Sequence, residues 1–110
     1  MALTLYGLKN CDTCKKAMKA LEAAGQAYEF VDIRAEADLS ALVPSWLDSA
    51  GPELLINRRS TTWRNLSEAE RDSAPEALLI ANPTLVKRPV IETGAEVHVG
   101  WNKHVQAALL

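Results

Sequence analysis

Ala2-Leu3-Thr4-Leu5-Tyr6-Gly7-Leu8-Lys9-Asn10-Cys11-Asp12-Thr13-Cys14-Lys15-Lys16-Ala17 reads as an apolar strand, a short connection beginning at Gly7, and the start of a helical pattern that carries the chain's two cysteines. A thiol in the first turn of a helix faces unpaired backbone N–H groups and the positive end of the helix dipole, which favour the thiolate over the thiol. The three-residue spacing puts Cys14 about one turn further along the same face. A disulfide between the two is then within reach once the first sulfur has reacted. In this arrangement Cys11 attacks and Cys14 resolves.

Two other readings of the pair stand beside this one. A zinc site needs about four ligands, and a lone C-x-x-C with His98 and His104 far downstream has no second close pair, so no metal is expected. Free cysteines are also common as small core residues. Cys14 suits that role, because Ala17, Met18 and Leu21 continue an apolar stripe below it. Cys11 stands before the stripe and is flanked by Lys9, Lys15 and Lys16, which makes it the candidate reactive thiol.

Outward from this stretch, the helical pattern runs from about Asp12 to Ala24 and stops at Gly25, and Gln26 to Ile33 reads as a second strand rich in β-formers. Strand, helix and strand in so short a span make a β-α-β unit with parallel strands. A helical insertion follows, over about residues 37–83. A helix is expected from Leu39 to Ala50, with Pro44 placed in its first turn and Gly51-Pro52 ending it. Leu54 to Arg64 reads as a short helix or turn and then a polar loop; Ser67-Glu68-Ala69-Glu70 resembles a capping box; Pro75 to Ala81 is another short helix, closed by Asn82-Pro83. The last third returns to strands, Val86–Glu92 and Glu96–Gly100 around a turn at Thr93-Gly94-Ala95, and ends in a helix from about Asn102 to Leu110. The order β-α-β, helical insertion, β-β-α, with a C-x-x-C after the first strand, is that of an α/β thioredoxin-like fold with a mixed four-stranded sheet.

The 110 residues suit one domain, 1–110, with one core. A net charge of −2 argues against direct nucleic-acid binding, which needs a surplus of Lys and Arg. No apolar run approaches the ~20 residues of a membrane span, and the first residues lack the charged-then-apolar pattern of a secretory leader. The expected setting is therefore the cytoplasm, away from membranes, where a C-x-x-C is kept reduced and serves catalysis or sensing. His98 and His104 read as packing or surface residues, and Trp46, Trp63 and Trp101 as packing anchors.

Three ordered segments carry a family resemblance: Tyr6-Gly7-Leu8-Lys9-Asn10-Cys11-Asp12-Thr13-Cys14-Lys15-Lys16-Ala17, Asn57-Arg58-Arg59-Ser60-Thr61-Thr62-Trp63-Arg64 and Leu85-Val86-Lys87-Arg88-Pro89-Val90-Ile91. With Gly94 and Val99-Gly100-Trp101-Asn102, the chain resembles the ArsC/Spx/YffB family end to end, and its YffB-like branch most. The resemblance implies a thioredoxin-like reductase in which Cys11 is the active thiol, glutathione or glutaredoxin supplies electrons, and no cofactor is bound. It implies a glutathione-dependent thiol/disulfide oxidoreductase acting as a monomer on glutathione or on a glutathionylated or disulfide substrate. Arg88 would hold an anion or thiolate through its planar fork of donors, and Pro89 would be a cis-proline, an isomer found in only ~5–6% of X-Pro bonds. Lys9, Asn10, Thr13, Arg58 and Arg59 are candidate substrate or glutathione contacts, with Asn10 and Thr13 also candidate helix caps. The arsenate reductases of the family use three arginines, of which only Arg88 is matched here. Asn57 and Val99 or Gly100 fall at the other two positions, which leaves an arsenate dianion under-compensated. The Spx branch offers an alternative of another class, a redox-responsive regulator that binds RNA polymerase.

Overall fold

The computed structural model describes residues 2–110, in two compact units, residues 2–37 with 88–110 and residues 38–87. The first unit is built on strands β1 (Leu3–Gly7), β2 (Tyr28–Asp32), β3 (Val90–Glu92) and β4 (Val97–Val99), with helices α1 (Asp12–Ala23) and, at the end of the chain, α7 (Lys103–Leu109). The sheet order is β2-β1-β3-β4: β1 and β2 are parallel, and β3 is antiparallel to both β1 and β4. This mixed four-stranded sheet, with its β-α-β and β-β-α halves separated by helices, is a thioredoxin-like α/β fold.

Alternation along β1 explains how the first unit packs. Leu3 and Leu5 point to one face and meet Ala17 and Leu21 of α1 and Ile91 of β3, with Met18, Tyr28, Phe30, Trp101 and Leu109 packed around them. Tyr6 points the other way, and its hydroxyl donates to Glu92 at 3.2 Å. The α1 stripe ends in a Schellman motif: the Gly25 N–H bonds the Glu22 carbonyl at 3.1 Å and the Gln26 N–H bonds the Leu21 carbonyl at 2.9 Å. Gly25 takes φ of +72° to do so. Asn102 caps α7 by accepting from the Val105 N–H at 2.9 Å.

The second unit contains α2 (Leu39–Ala50), α3 (Pro52–Leu55), α4 (Thr61–Arg64), α5 (Glu68–Arg71), α6 (Pro75–Ala81) and a 3₁₀ turn over Pro83–Leu85. Trp46, Val43, Leu55, Leu79, Leu85 and Val86 are fully buried in it. The capping box at Ser67 and Glu70 forms as expected. Three expectations need correction. Pro44 lies in the interior of α2, not in its first turn, so the Ser40 carbonyl is denied the N–H that residue 44 would otherwise offer. Residues 61–64 are helix α4 and not loop, because the Ser60 hydroxyl caps the turn by accepting from the Trp63 N–H at 3.1 Å. The strand expected from Val86 begins only at Val90. Val86 instead bridges Ile56, while Asn57 N–H bonds the Leu85 carbonyl at 2.9 Å and Lys87 N–H the Leu55 carbonyl at 2.8 Å. Those apolar residues serve the second unit's core before the chain returns to the sheet. Among the described residues, no helix is long and apolar enough to cross a membrane.

Candidate active site

The turn from Leu8 to Cys11, closed by the Cys11 N–H on the Leu8 carbonyl at 3.1 Å, carries the chain from β1 to α1. Cys11 is the N-cap residue of α1, in extended conformation with φ −88° and ψ 121°, and its carbonyl accepts the first helical bond from Lys15 at 2.9 Å. Asn10 and Thr13, read as candidate caps, do not fill that position. The Cys11 sulfur forms no full cap hydrogen bond, yet the Cys14 amide lies close enough to favour its thiolate. Cys14 is at N3, where an N-cap side chain finds its partner. Both cysteines are free thiols, Cys11 half-buried and Cys14 fully buried.

The antiparallel register of β1 and β3 brings the third participant in. Tyr6 faces Val90, so two further steps along the pair bring Arg88 level with Leu8, at the turn that holds Cys11. The Arg88-Pro89 peptide bond is cis, as expected for this position. Pro89 is fully buried, and its carbonyl accepts from the Gly100 N–H at 2.8 Å.

The electrostatics of the two sulfurs are opposite. Partial burial alone pushes the Cys11 thiol up, but the Cys14 N–H, the Cys14 thiol and the Arg88 guanidinium outweigh it and hold Cys11 below its ordinary 9.0. Cys14 is pushed up to about 12, first by burial and then by the neighbouring Cys11, against the lowering influence of the Leu8 N–H and Arg88. One sulfur is thus the more readily ionised, and the other is held as a thiol that donates to it.

Gly7, which reads in the sequence as the start of a simple connection, is part of the site. A Cβ there would lie 2.5 Å from the Cys14 sulfur and 3.4 Å from its Cβ. Gly7 is not in the left-handed region, so packing against the sulfur, not backbone conformation, is what excludes a side chain. The only legible signal was a glycine at the end of a strand four residues before a C-x-x-C.

The remaining candidates are distributed between the units. Lys9, Asn10 and Thr13 are exposed in the first unit with the cysteines. Arg58 and Arg59 belong to the second. There Arg58 lies over the Trp63 ring at 5.4 Å and pairs with Glu53 at 3.3 Å, and Arg71 covers the same ring at 5.3 Å. Trp46 is fully buried, and Trp101 packs against the first unit's core. His98 is largely buried, with Nε2 3.5 Å from Glu96 but without a hydrogen bond to it, and His104 is exposed on α7. Among the described residues, no three His, Cys, Asp or Glu side chains gather as metal ligands.

A thioredoxin-like sheet with a half-buried cysteine at a helix N-terminus, a buried partner thiol one turn on and an arginine before a cis-proline defines a class of thiol-bearing α/β proteins. Residues 6–109 match the ArsC family, and the chain belongs to it. It is 41% identical over 112 aligned residues to an uncharacterized protein of Haemophilus influenzae, across 96% of this chain and 97% of that protein. A global transcriptional regulator Spx of Listeria innocua is 29% identical, across 92% of this chain and 81% of the regulator. Among solved structures, a YffB protein superposes with a TM-score of 0.87 at 36% identity, over 98% of both chains.

Proposed function

We propose that this ArsC-family protein is a glutathione-dependent thiol/disulfide reductase with Cys11 as nucleophile. The observation that carries the reading is the asymmetry of the pair: an accessible thiol lowered below 9.0 beside a buried one pushed up to about 12. The Cys11 thiolate attacks one sulfur of a disulfide, forming a Cys11 mixed disulfide and expelling the other half as a thiolate. Either of two nucleophiles then finishes the reaction. Cys14 can attack the Cys11 sulfur and close an internal disulfide, or a glutathione thiolate can attack and regenerate Cys11 directly. In the first route the half bound to Cys11 leaves as a thiol, and two glutathione thiols then reduce the Cys11–Cys14 disulfide and leave as oxidised glutathione. In the second, where Cys11 carries the glutathionyl group of a glutathionylated substrate, one free glutathione thiolate attacks that group's sulfur, releases the Cys11 thiolate and leaves with it as oxidised glutathione.

The charge arrangement supports a contingent role for Cys14. While Cys11 is ionised, its negative charge is one of the causes that raise Cys14. Formation of the mixed disulfide removes that charge while the Leu8 N–H and Arg88 still lower the Cys14 thiol, so Cys14 is easier to ionise after the first sulfur has reacted than before. Arg88 stabilises the Cys11 anion in the resting protein and the departing thiolate during exchange.

Steady-state turnover of a glutathionylated peptide with excess glutathione tests the reading. Activity lost in Cys11→Ser and retained at least in part in Cys14→Ser supports it, and activity that survives Cys11→Ser removes it. The likeness to Spx favours a second reading, a redox-responsive contact with RNA polymerase. Retention of polymerase that changes with the oxidation state of Cys11 and Cys14, together with absence of turnover, would select that reading instead.

A further inference from the structure

We propose that the cleft between the β1–α1 turn and the turn after β2 seats the carboxylates of the thiol co-substrate, with Arg34 and Lys9 as the recognising cations. The proposal rests on the glutathione-dependent reading above and adds the group by which glutathione would be told from an uncharged thiol. The cleft holds about 460 Å³ and is lined on one side by Leu8, Lys9 and Asn10, on the other by Asp32, Arg34 and Ala35. Gly7 and Asp32 are register partners in the parallel pair, and the Ile33 N–H donates to the Gly7 carbonyl at 2.9 Å. The two chains therefore leave the sheet side by side, at the carboxyl ends of adjacent parallel strands, where open α/β sheets bind their ligands. Lys9 and Asn10 immediately precede Cys11, so a ligand held here has its remaining length available to reach the sulfur.

Charge in the cleft favours an anion. The Asp32 carboxylate is turned into its own backbone, accepting the N–H groups of Arg34 at 2.8 Å and Ala35 at 2.9 Å. Those bonds, both to Oδ1, hold its pKa low, with the charges of Arg34 and Lys9 acting in the same direction. Glu36, the other nearby carboxylate, accepts the Asp32 N–H at 3.2 Å and does not line the cleft. Lys9 and Arg34 line it, both exposed. Two cations and an amide on the rim outnumber the one lining carboxylate, whose Oδ1 is already held by the backbone, and suit the two carboxylates and peptide groups of glutathione.

S-methylglutathione, whose sulfur cannot exchange, isolates binding from chemistry when titrated into the reduced protein and followed by amide chemical shifts. The expected result is a cluster of shifts at Lys9, Asn10, Asp32, Arg34 and Ala35. A roughly fivefold weaker Kd is expected in Arg34→Gln and again in Lys9→Gln, the upper range for an exposed charge pair, with similar weakening for the diethyl ester. No binding, shifts elsewhere, or an Arg34→Gln Kd equal to that of the native protein overturns the proposal. Turnover measured in parallel separates the two claims. Binding in the cleft without glutathione-dependent turnover removes the reductase reading alone, and turnover with an unaltered Arg34→Gln Kd removes the cleft alone.

Discussion

Cys11 and Cys14 are the same residue type three positions apart, and one backbone step decides their difference. Cys11 lies outside the first helical turn, half-open, while Cys14 is inside it and sealed against β1. Cys11 is legible as the candidate thiol because it stands before an apolar stripe, a local pattern, whereas Arg88 and the cis isomer at Pro89 are legible only through the family resemblance of residues 85–91. Gly7 and Arg34 were not legible. Their roles depend on a sulfur seven residues away and on a neighbouring strand, which no local pattern encodes. Gly7→Ala is expected to destabilise the protein by about 1–3 kcal/mol, as overpacking does. It should also raise the Cys11 pKa, since a displaced Cys14 no longer offers its N–H and thiol in the same geometry. In a Cys14→Ala background most of the stability penalty should vanish. Equal penalties in the two backgrounds, measured by urea unfolding, would show that the sulfur contact is not what makes glycine necessary.

At the scale of elements, the strands and the longest helix of the first unit follow from alternation, an apolar stripe and the glycine stop. The misses fall where tertiary pairing overrides local pattern. Val86 looks like strand because it is apolar and β-branched, but its partner is Ile56 and not the sheet. Residues 61–64 look like loop because they are polar, but one hydroxyl turns them into helix. Ser60 caps that turn, Thr62 bonds Thr84 at 2.7 Å, and the guanidinium groups of Arg58 and Arg71 both lie over the Trp63 ring. Ser60→Ala is expected to cost about 1 kcal/mol and to loosen the stack on Trp63. A shift in tryptophan emission with a lower unfolding midpoint is the predicted signature; an unchanged midpoint would show that the packing at Trp63, and not the cap, holds α4.

At the scale of the molecule, the titrating groups give stability a definite dependence on pH. Cys11 has a folded pKa below its unfolded value, so its contribution is present above the unfolded value and is lost as pH falls through the folded one. Cys14 is raised to about 12, mainly by burial; Tyr6 is raised to about 12 by burial and by Glu92; Tyr28 is raised to about 12 by its hydrogen bond to Glu22. For these three the neutral form is the one the fold favours, so their contribution is intact below the unfolded values, 9.0 for the cysteine and 10.0 for the tyrosines, and is lost as pH rises towards 12. Urea unfolding of the reduced protein should therefore show stability falling above about pH 9, where unfolded thiols begin to ionise, and Cys14→Ala should flatten the first part of that fall. A stability that stays level from pH 8 to pH 11 would contradict the assignment of Cys14. The claim on which the function depends is read most directly by a pH titration of thiolate absorbance in Cys14→Ser and in Cys14→Ser with Arg88→Ala. A Cys11 midpoint below 9.0 that moves upward when the guanidinium is removed is the predicted result; a midpoint at or above 9.0, indifferent to Arg88, would contradict it.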